Sequence, residues 1–370
     1  MHGTFDPVHT RNRMLLALLA AAGWEPRVLR RDVWGRDRFS AVGGDRARLA
    51  WRAVGAYARL MLQALTTPRP DVVVVLYPGH VDMLLLAPLW KLRRVPVVFD
   101  PLLSLHDTVV SDRAMVGAAS VKARLLATVD RLAFALADLV VVDTPEVGAF
   151  YAERFGLRAA KALVVWPGTD TDRLGPPSDA ATFAARVLFH GSFIPLHGIE
   201  TIVRAAALLA DTDLEFRVVG DGQQRPAVEA LVRELGGVPR LTLVDPMPLE
   251  GIGDEIRAAS LCLGIFGTTP KAGRVVPFKV FEYMALRRPV VTGDTPAARH
   301  ALGDDVVLVP PGDAEALAAA IRALMADADR RRRLGDAAGD RFAQRFSTAA
   351  QVATLQSSLA RVTGRERVAA

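Results

Sequence analysis

Short β-branched runs that stop at a glycine, proline or aspartate recur along this chain, and helical spacing follows several of them. Val72-Val73-Val74-Val75-Leu76-Tyr77 ends at Pro78-Gly79, Val95 to Asp100 reads Val-Pro-Val-Val-Phe-Asp, and Leu139 to Asp143 reads Leu-Val-Val-Val-Asp. Unbroken apolar runs of this length suit strands buried on both faces, as in parallel sheets covered by helices. Between the second and third runs, residues 121–137 place Leu125, Leu126, Val129, Leu132, Ala133 and Leu136 at helical spacing. Val164 to Asp170 then reads as a strand and turn, and Gly175-Pro176-Pro177-Ser178-Asp179 as a linker.

A second series begins at Arg186-Val187-Leu188-Phe189-His190-Gly191. The pattern predicts a helix over 198–210, a strand from Glu215 to Val219, a turn at Gly220-Asp221-Gly222 and a helix over 225–235. Strands follow near 241–244, 261–265, 289–292 and 306–309, and helices near 313–326, 329–345 and 347–361. At 370 residues the length also favours two domains. The expected architecture is therefore α/β: two Rossmann-like domains facing a cleft, with the carboxyl ends of strands turned toward ligands. At the start, a helix is expected from about Arg11 to Ala22, with Gly23 as its cap. A first strand should precede Gly3, where the sequence offers only Met1-His2.

Composition removes several classes. With 51% hydrophobic and 23% charged residues, the chain is neither collagen-like, coiled-coil nor wholly disordered. Its single cysteine, Cys262, excludes an intramolecular disulfide and a multi-cysteine zinc site, and suits a reducing cytoplasm. Seven histidines without HxxxH or HExxH spacing predict no metal site. The apolar stretch Val72 to Trp90 is interrupted by Pro78, Gly79, His80, Asp82 and Pro88, so no spanning helix is expected. The opening residues lack the basic and apolar regions of a signal peptide.

The formal charge of +6 is concentrated: residues 1–60 hold eleven arginines and five acids. Such an excess attracts phosphate groups, an acidic acceptor or a lipid surface. Nucleic acid is not expected, because no binding module or aromatic interleaving accompanies the arginines. Residues 45–64 combine Leu49, Trp51, Val54, Tyr57, Leu60 and Met61 with Arg46, Arg48, Arg52 and Arg59. Two readings stand: a helix packing its apolar side on a sheet, or peripheral contact with the inner face of a membrane.

Chemistry concentrates in the second half. Phe189-His190-Gly191-Ser192 ends a strand at a glycine, His197-Gly198-Ile199-Glu200 opens a helix, and Val219-Gly220 ends another strand. Glycine turns and helix N-termini offer backbone N–H groups to phosphate oxygens. Lys271, Arg274 and Lys279 add side-chain cations before and within the next helix, and Glu282 is placed to accept hydrogen bonds from a diol such as a ribose. His190 and Cys262 read as structural.

Two resemblances follow from these residues. Gly3-Thr4-Phe5-Asp6-Pro7-Val8-His9 resembles the opening of the HxGH nucleotidyltransferases, but Thr10, Arg11 and Asn12 stand where the second Gly and His should be. Half of that family's phosphate-stabilising pair is absent. Nearly the whole chain, most strongly residues 186–346, resembles family 4 glycosyltransferases of the GT-B fold. The likeness rests on the glycine turns and on Pro277-Phe278-Lys279-Val280-Phe281-Glu282-Tyr283, similar to a subset with Pro-x-Lys-x-x-Glu-Tyr. Gly3-Thr4-Phe5-Asp6-Pro7 and Val97 to Asp107 also resemble that subset.

That resemblance implies an acceptor-binding domain over 1–174 plus 347–370, with the last helix crossing back, and a nucleotide-sugar domain over 175–346. It implies a retaining, metal-independent transfer from a nucleoside diphosphate sugar, UDP- or GDP-linked, with no cofactor. The acceptor would be a glycan, a lipid-linked or a small molecule. Glu282 matches the second carboxylate of a Glu-x7-Glu motif, and Arg274 stands where the first would be. Ser192 and His197 match the positions of a basic pair, so Lys279, with Arg274 or Lys271, is expected to supply diphosphate charge. Gly191 and Gly220 belong to the donor side, and Gly3 and Thr4 to an acceptor or phosphate loop. Asp100, at the strand end where many relatives carry a catalytic His, and His106 are the acceptor-side candidates for catalysis. A donor-binding protein without turnover is the alternative, and an HxGH nucleotidyltransferase a further one.

Overall fold

The computed structural model describes residues 1–33, 46–177 and 185–364, with residues 46–50 as backbone only. The chain divides into two compact units. One comprises Met1–Val110, Val116–Trp166 and Gln351–Ala370, the other Ser111–Met115 and Pro167–Ala350. The division after Trp166 precedes the expected one at 174. The reason is local: the short helix Thr171–Leu174 packs on the helix Leu249–Ala258, and the Arg257 guanidinium donates to Leu174 O at 2.5 Å. Ser178 and Asp179 of the expected linker lie outside the described residues.

The first unit is built on β3 (Val73–Val75), β4 (Val97–Phe99), β5 (Leu139–Val142) and β6 (Ala162–Val164), paired in that order and all parallel. A separate parallel pair joins β1 (His2–Gly3) to β2 (Leu29–Arg30). The first strand is thus a two-residue stub, and β2 was not legible in the sequence. The expected broken stretch after β3 is a helix, His80–Leu92, that accommodates Pro88. The final helix, Thr348–Thr363, belongs to this unit: Leu355 and Leu359 are buried in one core with Phe5, Leu15, Val74, Val98 and Val141. Its Gln356 side chain donates to Ala22 O at 3.2 Å.

The second unit holds a six-stranded parallel sheet. In chain order its strands are β7 (Arg186–His190), β8 (Glu215–Val219), β9 (Leu241–Val244), β10 (Leu261–Leu263), β11 (Val290–Gly293) and β12 (Val307–Val309). Their spatial order is β12-β11-β10-β7-β8-β9. The chain reverses direction across the sheet between β7 and β10, the switch point outside which open α/β sheets bind ligands. Phe189, Phe193, Phe216, Ile202, Leu263 and Ile321 form the core, and burial of each large side chain contributes roughly 1.5–3 kcal/mol.

Candidate functional site

The carboxyl end of β7 gathers the candidate residues of the second unit. Gly191 has φ +139°, a conformation that L side chains rarely adopt. A Cβ there would lie 2.7 Å from Lys279 Nζ, so the bare backbone is what lets the lysine reach the turn. Gly220, at the end of β8 with φ +142°, faces the same turn, and its Cβ would fall 2.0 Å from Gly191 O.

The helix Phe278–Ala285 supplies the side chains. Pro277 precedes it and no side chain caps its first turn. Lys279 and Glu282, one turn apart, are each only 4% exposed. Lys279 Nζ sits 4.3 Å from the centre of the Phe189 ring and 3.3 Å from His197 Nε2. Burial pushes its pKa down to about 7, with Glu282 opposing. His197 Nδ1 contacts Ser192 O. That pattern assigns the proton to Nδ1 and leaves Nε2 to accept from Lys279. Burial and the neighbouring Lys279 hold His197 well below its ordinary pKa, so the imidazole is neutral. Ser192 itself is exposed.

Glu282 Oε2 lies 3.0 Å from His190 Nε2, yet the two are misaligned and neither atom makes a hydrogen bond. His190 thus stands directly beside Glu282, and Cys262 is buried in β10. Lys271 and Arg274 are half-buried on the loop and short turn between β10 and that helix. Among the described residues, no group of three or more His, Cys, Asp and Glu side chains could hold a metal ion.

In the first unit the candidates are placed differently. Asp100, offered as a catalytic group, is instead fully buried at the end of β4. Arg11 Nε donates to its Oδ2 at 2.8 Å, and Leu102 N donates to its Oδ1 at 3.2 Å. Arg11 also donates to Val165 O and lies 3.2 Å from Asp143 Oδ1. Burial opposes the charge of Arg11, but Asp100 and Asp143 outweigh it and hold its pKa above the ordinary value. Gly3 and Thr4, expected in a phosphate loop, are turned to a carboxylate: Thr4 N donates to Asp82 Oδ2 at 2.7 Å, and the Tyr57 hydroxyl donates to Oδ1 at 2.9 Å. An anion already occupies those donors. His9 caps the helix Thr10–Ala21, its Nδ1 accepting from Arg11 N. With Arg11 and Asn12 in the core, the nucleotidyltransferase-like opening serves as a structural turn.

His106 is 6% exposed, and its Nδ1 is buried without a hydrogen-bond partner. Burial and the Arg154 guanidinium hold its pKa below the ordinary value. The residue that orders its loop is Asp130, which sequence reasoning missed. Asp130 is fully buried and accepts from Ser104 Oγ at 2.6 Å, His106 N at 2.9 Å and Leu105 N at 3.1 Å. His80 Nε2 lies 3.2 Å from it. The available signal was a carboxylate in helical register with Ala123, Ala127 and Phe134.

Comparison with known proteins accounts for both units. A family model of group 1 glycosyl transferases matches residues 184–327, and a glycosyl transferase 4-like domain matches residues 8–168. The D-inositol 3-phosphate glycosyltransferase of Nocardia farcinica is 32% identical over 218 residues, which cover 54% of this chain and 47% of that one. The alpha-D-kanosaminyltransferase of Streptomyces kanamyceticus is 29% identical over 44% of this chain and 42% of its own. The chain thus spans about half the length of the curated relatives it matches. Anabaena HepE, solved in complex with UDP, shares the fold with a TM-score of 0.67 at 18% identity, over 97% of this chain and 100% of that one. Sucrose-phosphate synthase from Thermosynechococcus elongatus gives a TM-score of 0.67 at 22% identity, over 97% and 99%. A glycosyl transferase family domain is thus matched in each unit, and the chain has the GT-B fold over nearly its whole length.

Proposed function

We propose that the second unit binds a nucleoside diphosphate sugar, and that the chain transfers the sugar with retention of configuration and without a metal ion. The observation that carries this reading is the convergence of Lys279, His197 and Glu282 on the Gly191 turn at the sheet's switch point. Glu282 Oε2, buried and without a hydrogen bond, suits a ribose hydroxyl. Lys279 Nζ, against the bare backbone of Gly191, suits a diphosphate oxygen, and the N–H groups opening the helix Phe278–Ala285 add to it. The UDP bound to Anabaena HepE favours a uridine donor.

As the bond from the anomeric carbon to the diphosphate oxygen breaks, negative charge grows on the leaving group. Lys279, which takes a proton from solvent as the diphosphate binds, is then a full cation beside it, with Lys271 and Arg274 as further candidates. Removal of one preorganised group of this kind commonly costs about 3 kcal/mol of transition-state stabilisation. Arg274 stands where the resemblance expects a carboxylate against the donor sugar, so the sugar would be read by other groups. His106, neutral and with a free Nδ1, is the acceptor-side group we assign to hydrogen bonding with the sugar or acceptor. The acceptor hydroxyl loses its proton to the departing phosphate.

The test is release of nucleoside diphosphate from UDP- and GDP-sugars, compared between wild type, Lys279→Met and His106→Ala. Turnover that falls about 100-fold in Lys279→Met supports the reading. Donor binding without any release, with every sugar and acceptor tried, would favour a binding protein. Triphosphate-dependent pyrophosphate release sensitive to His9→Ala would overturn both.

A further inference from the structure

Helices that cover a sheet normally turn polar residues outward. Three neighbouring helices of the first unit do not. The helix Arg46–Thr66 buries Ala56, Leu60 and Ala64, and exposes Trp51, Val54, Met61, Leu62 and Leu65. These five fall within one outward arc about 100° wide and about 21 Å long, at 100° and 1.5 Å per residue. Trp51 is 75% exposed. Of the apolar residues in the sequence pattern, Leu60 packs inward, while Trp51, Val54 and Met61 face out. The helix His80–Leu92, which packs beside it, exposes Val81, Leu85 and Leu92. The helix Val121–Leu136, on that helix's other side, exposes Val121, Leu125 and Leu132.

The charges on the same helices have one sign. Their only carboxylates are Asp82 and Asp130, and both are buried. Arg52, Arg59, Lys122, Arg124 and Arg131 are exposed. Beside the stripe, Arg31, Arg52 and Arg59 line a surface cavity of about 450 Å³ with Trp51, and Asp32 is the one carboxylate lining it among the described residues. No helix among the described residues is long and apolar enough to cross a membrane.

We propose that this three-helix face of the first unit lies on an anionic membrane surface. The apolar stripes enter the headgroup region, and the arginine-lined cavity takes a lipid phosphate. Apolar area and basic charge together are what interfacial binding needs. A second copy of the chain fits less well, because an isologous contact would set cation against cation. The proposal is independent of which donor the second unit binds.

The test is flotation of the full chain with vesicles of phosphatidylglycerol and phosphatidylcholine, against phosphatidylcholine alone. Binding is expected to the first and to be lost with the second. Each basic residue near an anionic surface contributes about fivefold to partitioning, so Arg52→Glu with Arg59→Glu should weaken binding roughly 25-fold or more. Trp51→Gln with Leu62→Gln, both at exposed positions, should weaken it at least about tenfold while leaving the melting temperature unchanged. A wild type that stays unbound, or variants that bind like wild type, would overturn the proposal. So would a concentration-dependent dimer in sedimentation that Trp51→Gln with Leu62→Gln abolishes, because it assigns the face to a second copy.

Discussion

The two units bury charge to opposite ends. In the first, Arg11 sits between Asp100 and Asp143, Asp82 takes donors from Thr4 and Tyr57, and Asp130 takes three from one loop. Asp82, Asp100 and Asp130 each accept hydrogen bonds from these partners and tie chain segments together, while Arg11 Nη2 meets Asp143 Oδ1 at 3.2 Å as an ion pair without a hydrogen bond. In the second, Glu282 keeps a buried oxygen without a hydrogen bond, and Lys279 is desolvated beside a neutral imidazole and an aromatic ring, with Glu282 as its counter-charge. The difference teaches that burial alone does not mark a site. A buried charge held by several hydrogen bonds is architecture, and a buried charge with few of them is poised for a ligand.

Breaking the first unit's networks should have the largest effect. Arg11→Met removes the cation from the buried Asp100 carboxylate, with the half-buried Asp143 beside it, and should destabilise by about 3–5 kcal/mol in denaturant titration. Donor affinity per folded molecule should be unchanged, since the second unit does not use it. Asp130→Ala strands the Ser104 hydroxyl and two backbone amides, at a cost of roughly 3 kcal/mol. Turnover should fall more than donor affinity, because the loop carrying His106 loses its anchor.

Lys279 should behave in the opposite sense. Its folded pKa of about 7 lies below the ordinary 10.5, so the unfolded chain holds more protons between those values. Stability should therefore rise with pH from about 7 toward 10.5 through this group. Lys279→Met should flatten that rise and stabilise the fold at neutral pH by about 1 kcal/mol while removing nucleotide binding. A ligand that needs Lys279 charged must also supply its proton, so nucleoside diphosphate affinity should drop up to about tenfold per pH unit above 7. Calorimetry in buffers of different ionisation enthalpy would register the proton uptake.

The cluster at the end of β7 was legible in the sequence because its elements are local. Lys279 and Glu282 lie one helical turn apart, and Gly191 closes a strand marked by the apolar run Val187-Leu188-Phe189. Strand positions followed from the same runs, β8 and β9 to the residue. The first unit's buried networks were less legible because their contacts are long-range. Asp100 and Arg11 meet across 89 residues, and Asp130 meets Ser104 from another element. The three outward stripes misled in a second way. Where a helix is apolar on both faces, spacing does not tell which face the sheet takes, so Leu125 and Leu132 defined the helix yet point to solvent.

Calorimetric titration of UDP, GDP, dTDP, ADP and ATP into wild type and Glu282→Ala tests the central claim most directly. One diphosphate should bind well to wild type, and its affinity should fall at least about tenfold in the variant, the loss of a hydrogen bond to a charged group. A triphosphate preference untouched by the substitution, or no nucleotide binding by a folded wild type, would contradict the account.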